Sequence, residues 1–265
     1  MESVGDSDEE TFLSPAGPPI GVVKRLARKL SPRLRTRLHW WLYDTPIISE
    51  FLSKRDPVMR IAHVSADTAL VMDGFPRSGN SYARAALFHA NGIDTVISTH
   101  GHSHRFVHQG VRFGIPVIVL IREPDAAISS LLRFEPATDE RMLADAYTRY
   151  YRHVLRDIDS VLIARFEEVT ADFGAVLKRC NAKFGSDLAI YHKTPESERE
   201  VSAHIDAGTR NAVALAPERF DDVVPRPGFR GPKREERVGR IDARTEASLQ
   251  AARAVYAEIL AASEH

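Results

Sequence analysis

Ala69-Leu70-Val71-Met72-Asp73-Gly74-Phe75-Pro76-Arg77-Ser78-Gly79-Asn80-Ser81-Tyr82 passes from an apolar run, through a turn bounded by two glycines, into a segment with helical spacing. Ala83, Ala86, Leu87 and Ala90 follow at intervals of one to three residues, so an apolar face is expected on a helix over residues 80–91. Strand, glycine loop and helix in this order form the context in which backbone N–H groups and a helix dipole hold phosphate. Gly74 and Gly79 keep the glycine spacing of a Walker A loop, and Ser81 stands at its Ser/Thr position. Asn80, however, occupies the place of the lysine and brings no charge to β- and γ-phosphates. The cation sits inside the loop instead, at Arg77.

The pattern extends along the chain. Residues 95–98 form a second short apolar strand, and Pro116-Val117-Ile118-Val119-Leu120-Ile121 is a continuous apolar run, as a strand covered on both faces requires. Pro124, suited to a first helical turn, opens a helix reaching Leu132. Further helices are expected over residues 139–157, 172–184 and 242–262, with a strand at residues 161–164. The last helix has Ile241, Leu249, Ala252, Val255, Ile259 and Leu260 as its apolar positions. Strands alternating with helices imply an α/β fold: a single three-layer α/β/α domain with a central parallel sheet and a phosphate-binding loop after its first core strand.

Composition narrows the class. The chain has 265 residues, 43% hydrophobic and 27% charged, enough to bury a core and too apolar for a disordered chain. Thirty-six basic residues balance thirty-six acidic ones, which argues against a nucleic-acid partner. Glu2, Asp6, Asp8, Glu9 and Glu10 stand among the first ten residues without a base, and residues 1–19 read as a disordered acidic tail before a domain over 20–265. Cys180 is the only cysteine, which rules out an intrachain disulfide and favours a reducing compartment. Without an apolar run of transmembrane length or a signal peptide, the expected location is cytoplasmic. Residues 20–66 read as a helical N-terminal extension. Within it, residues 22–43 carry seven Lys or Arg and no acid, with Val22, Leu26, Leu30, Leu34, Leu38 and Trp41 at helical spacing and Pro32 as a break. Either this helix packs its apolar stripe on the sheet or it makes a peripheral membrane contact. Arginine outnumbers lysine 29 to 7, a hint of a GC-rich bacterial genome.

Phe75-Pro76-Arg77-Ser78-Gly79-Asn80-Ser81-Tyr82 resembles the 5′-phosphosulfate loop of sulfotransferases that use 3′-phosphoadenosine-5′-phosphosulfate (PAPS). Such a donor has no γ-phosphate, which accounts for the missing lysine. A second match is Arg122-Glu123-Pro124 after the buried run, with Ser130 eight residues beyond the arginine. It is similar to the family's 3′-phosphate motif, where a guanidinium gives bidentate recognition and a hydroxyl adds a donor. Two partial matches follow. Phe166-Glu167-Glu168 lies where the family has Tyr-Glu-Asp near the adenine, and Phe166 reads equally well as core packing. Arg226-Pro227-Gly228-Phe229-Arg230-Gly231 resembles the C-terminal loop over the 3′-phosphate, with Pro227 in place of lysine. The resemblance spans about residues 69–235. It implies that Arg77, Ser78, Gly79, Asn80, Ser81, Tyr82, Arg122, Ser130, Phe166, Arg226 and Gly228 bind the donor.

The implied activity is in-line transfer of a sulfonate from PAPS to a hydroxyl or amine of a small-molecule or lipid acceptor, without metal. Arg77 would stabilise charge on the leaving oxygen. Thr99-His100 follows the second strand as the family's Thr-His does, which makes His100 the expected base. His102, His104 and His108 lie in the same stretch. On a strand the alternating histidines would share a face fit for a metal, but the stretch holds no acid or cysteine. They are expected to lie along a loop and to be dispensable. Two alternative readings are a nucleotide-binding kinase with a degenerate phosphate loop and a non-catalytic, membrane-associated nucleotide-binding protein.

Overall fold

The computed structural model describes residues 61–134, 138–212, 224–225 and 242–263. The expectations for residues 1–19 and 22–43, for Ile241 and for the loop with Arg226 and Gly228 lie outside the described residues, as does the 20–66 extension up to residue 60; its described end, residues 61–66, is turn and irregular chain rather than helix.

Among the described residues four parallel strands form one sheet: β1 (Leu70–Gly74), β2 (Ile97–Thr99), β3 (Val117–Ile121) and β4 (Leu162–Arg165), in the order β2-β1-β3-β4. Every residue of β1 and β3 is buried. Alternation of side chains then divides the core in two. Val71, Val117, Val119, Ile121 and Ile163 point to one face, with helices α2 (His104–Arg112), α3 (Pro124–Phe134), α4 (Glu140–Val154) and α8 (Ala243–Ser263). Leu70, Met72, Ile118, Leu120, Leu162 and Ala164 point to the other. That face meets α1 (Asn80–Asn91), α5 (Phe166–Ala171), α6 (Phe173–Phe184) and α7 (Pro195–Ala212). The chain is thus an α/β protein with a parallel sheet covered on both faces.

The sequence expectations shift at several edges. β2 starts at Ile97 rather than residue 95, and Val96 stays 48% exposed, as a short outer strand allows. The helix expected over 139–157 ends at Val154, where the chain tightens into a 3₁₀ turn, Leu155–Ser160, with a non-helical Asp157. His104 and His108 belong to helix α2, not to a loop, and Ser103 caps that helix by accepting from the Arg105 N–H. Gly110 lets α2 lie close on the sheet: a Cβ there would press on Val71 and Val117.

This topology places the site. After β1 the chain crosses to β2 on one side and then returns to β3 on the other, so the connections leaving β1 and β3 diverge over the carboxyl edge. Open α/β sheets bind ligands at such a switch point. Met72 is in register with Thr99, Gly74 with Leu120, and Ile121 with Arg165. His100, the glycine loop, Arg122 and Phe166 therefore leave the same edge side by side.

Candidate functional site: an arginine-rich cluster at the carboxyl edge of the sheet

The loop after β1 turns back at once. The Ser78 N–H donates to the Phe75 carbonyl at 3.2 Å, and Asn80 Nδ2 donates to the same oxygen at 3.3 Å. Asn80 thus braces the loop from within, a role a lysine at this position would not fill. Tyr151 of α4 pins the loop's start to β3: its hydroxyl donates to the Leu120 carbonyl at 2.7 Å and accepts from the Phe75 N–H at 3.3 Å. Gly79 has φ 101°, and a Cβ there would meet the Phe166 ring at 3.3 Å. Glycine is required on both counts. No side chain caps α1 at Gly79, and no acid lies in its first turn. The positive end of this helix is left to an anion.

Arg77 and the β3 motif meet. Arg77 Nε donates to Ser130 Oγ at 3.0 Å, and Arg122 Nη1 donates to the Arg77 carbonyl at 3.1 Å. The Arg122 guanidinium lies 4.0 Å from the centroid of the Phe166 ring, a cation–π contact that explains why Phe166 keeps an aromatic face. Arg77 in turn packs 5.6 Å from the centre of Phe134. The Arg122 backbone is fixed from two sides. Tyr147 donates to its carbonyl at 2.7 Å, and neighbouring Glu123 accepts from the Asp125 and Ala126 N–H groups at the start of α3.

The guanidinium groups of Arg77, Arg122 and Arg133 lie close enough to repel one another. Burial, together with the charges of Arg122 and Arg133, lowers the Arg77 guanidinium to about 10. Arg122 is also lowered, chiefly by burial, with Glu167 and Glu123 opposing and Arg133 adding to the effect. Arg133 was not singled out in the sequence. It stands three residues after Ser130 on α3, so helical spacing alone would bring it to the same face.

On the other flank, Ser81 Oγ lies 3.4 Å from His100 Nε2, and Thr99 Oγ1 lies 3.2 Å from His100 Nδ1. Burial, and then the charges of His102 and Arg84, hold the His100 imidazole well below its usual range. The remaining histidines diverge. His102 Nδ1 donates to the Gly74 carbonyl at 2.8 Å, His104 stacks on His153 at 3.8 Å, and His108 Nδ1 lies 3.1 Å from an Asp157 oxygen. Tyr82 is buried with its hydroxyl bonded to Glu198 Oε1 at 2.6 Å, beside the Tyr191 hydroxyl at 2.8 Å from the same oxygen. It ties α1 to α7, a partnership the sequence did not reveal. The structure thus joins Arg77, Ser130, Arg122 and Phe166 in one cluster and Ser81 with His100 in another, and commits the Tyr82 hydroxyl to Glu198.

Comparison with family models, with characterised proteins and with solved structures finds no match to this chain. Among the described residues, no helix is long and apolar enough to cross a membrane, and no group of three or more His, Cys, Asp or Glu side chains is arranged to hold a metal ion.

Proposed function

We propose that this cluster binds PAPS and that the protein transfers its sulfonate to a hydroxyl or amine acceptor. The observation that carries the reading is the contact of Arg77 with Ser130, beside Arg122 on the Phe166 ring. Two anion motifs separated in sequence supply one wall of guanidinium and hydroxyl donors, with an aromatic face next to it. The donor set fits the group: two phosphate-bearing ends need two sets of donors, and an adenine needs a flat apolar surface.

In this reading Arg122 and Ser130 hold a 3′-phosphate, and the first turn of α1 with Ser78, Gly79 and Ser81 holds the 5′ end. PAPS supplies the electrophilic sulfonyl group and a phosphate leaving group. Arg77, between the two anion sets, stabilises negative charge on the leaving oxygen. The acceptor's proton passes to an imidazole at the exit of β2, where the sequence analysis puts His100.

The test is calorimetric binding of 3′-phosphoadenosine-5′-phosphate against ADP and magnesium-ATP. Binding of the 3′-phosphorylated nucleotide alone is expected. Equal affinity for ADP removes the 3′-phosphate site and with it the reading.

A further inference from the structure

Three described non-glycine residues have positive φ: Arg77 (70°), His100 (56°) and His102 (48°). All three lie on the two loops that leave β1 and β2. Backbone strain of this kind persists where the surroundings over-determine it, and it clusters at functional sites. Arg77 and His100 already have roles in the reading above, whereas His102 has none.

What holds His102 is the residue that ends the apolar part of β1. Asp73 is 0% exposed. Its carboxylate accepts from the Gly74 N–H at 2.9 Å and faces the backbone N–H groups of His102 and Ser103. His102 Nδ1 lies 3.6 Å from Asp73 Oδ1 and 2.8 Å from the Gly74 carbonyl. A carbonyl can only accept, so Nδ1 must carry the proton. The second ring nitrogen, Nε2, is then an unprotonated acceptor on a side chain that is 24% exposed. His100 differs in both respects. Its two nitrogens face the Thr99 and Ser81 hydroxyls, and its surroundings oppose a positive charge.

We infer that His102, fixed in its Nδ1–H tautomer by Asp73 and the Gly74 carbonyl, is the residue that takes the acceptor's proton at this site, and that His100 is a neutral hydrogen-bonding neighbour. The inference rests on the sulfonyl-transfer reading. The acceptor O–H proton goes to His102 Nε2 as the acceptor oxygen bonds to sulfur. The sulfur–oxygen bond to the donor breaks, and its electron pair leaves on the phosphate oxygen beside Arg77. Asp73 is a positioning residue, because it acts through the imidazole and stabilises the imidazolium that forms. The charged and titratable groups around the pair include His100 at 5.8 Å between ring centroids, Arg84, which acts on His100, and Tyr150 and Tyr151 of α4, which both feel Asp73.

The full chain is used in the test, with His102→Asn, His100→Asn and Asp73→Asn. Asparagine tolerates left-handed φ, and at 102 its amide N–H still reaches toward the Gly74 carbonyl while Nε2 is lost. Three measurements are made: calorimetric binding of 3′-phosphoadenosine-5′-phosphate, PAPS breakdown with water as acceptor from pH 5.5 to 9, and long-range ¹H–¹⁵N spectra of the imidazoles. His102→Asn should keep nucleotide affinity within about twofold and slow PAPS breakdown by roughly 10²-fold, with His100→Asn costing less than about tenfold. The spectra should show His102 protonated at Nδ1. Asp73→Asn should move the acid limb of the rate to lower pH, a shift that loss of structure alone would not produce. A His102 protonated at Nε2 overturns the inference, as does a His102→Asn enzyme with wild-type breakdown. Either result alongside intact nucleotide binding leaves the donor site standing. A wild-type chain that binds no 3′-phosphoadenosine-5′-phosphate brings down both.

Discussion

The Arg77 guanidinium donates to the Ser130 hydroxyl at 3.0 Å, joining the loop after β1 to the helix after β3 across 53 positions of sequence. Neither residue is exposed enough for this contact to be a surface accident: Ser130 is 5% exposed, and Arg77 is largely buried. The bond makes the loop after β1 and helix α3 one unit.

Arg122→Ala should therefore weaken 3′-phosphoadenosine-5′-phosphate binding by roughly 1.5–3 kcal/mol, the size of a charge-assisted contact. Ser130→Ala in the same chain should add less than its own single effect, because on the proposed reading both side chains address one phosphate, and Ser130 also accepts from Arg77. Calorimetry on the double-mutant cycle decides this, and strict additivity would show that the two residues address different groups.

In the proposed sulfonyl transfer Arg77→Ala should lower turnover more than nucleotide affinity, since there its contact strengthens as charge builds on the leaving oxygen. Arg77→Lys should not restore the rate. A lysine has no Nε–H set back from the head of the side chain to hold Ser130 while the rest of the group faces the ligand. Equal losses in affinity and rate for Arg77→Ala would mark it as a ground-state anion contact only.

The framework around these residues was legible to different degrees. Val117–Ile121 is apolar at every position, and only a strand covered on both faces explains so short a run; α1 spans residues 80–91 as its alanine and leucine spacing requires. Helix α7 escaped notice for a physical reason. Its buried positions are Ser197, Val201, Ile205 and Thr209, spaced by four, and two of them are polar, so the stripe is weak to the eye. Arg77, Arg122, Ser130 and Phe166 were each named from sequence, and the structure brings them together. The contact of Asp73 with His102 was not legible, because it depends on a carboxylate one residue before the loop facing a backbone turn that arrives from β2. No spacing along the chain encodes that meeting.

Tyr82→Phe tests the link between the loop helix and α7. The tyrosine is 3% exposed, and its hydroxyl shares Glu198 with Tyr191. Loss of one hydrogen bond to a charged acceptor should cost about 1–2 kcal/mol in urea unfolding, with nucleotide affinity changed less than about threefold. A large loss of affinity without loss of stability would place the Tyr82 hydroxyl in the ligand site instead.

The last prediction concerns the stability that Asp73 gives up. Burial raises its carboxyl to about 7, although the N–H groups of Gly74, His102 and Ser103 all favour the ionised form. In the unfolded chain an aspartate ionises near 3.9. The folded value lies above the unfolded one, so the group's contribution is fully present below about pH 4 and is lost as pH rises through about 7. Above that window the carboxylate is ionised in both states, and the fold bears the full cost of burying it. Asparagine has no charge to bury. The stability of Asp73→Asn relative to wild type should therefore rise between pH 4.5 and pH 8, by about 3 kcal/mol at most, whatever constant offset its altered hydrogen bonds introduce. Urea midpoints of the two chains at pH 4.5, 6 and 8 measure the difference directly. A difference that stays constant across these three points would show that Asp73 ionises in the folded protein as it does in an unfolded one. A rising difference would show a buried acid retained at a cost to the fold, as expected of a group that holds an imbalance for the sake of the imidazole beside it.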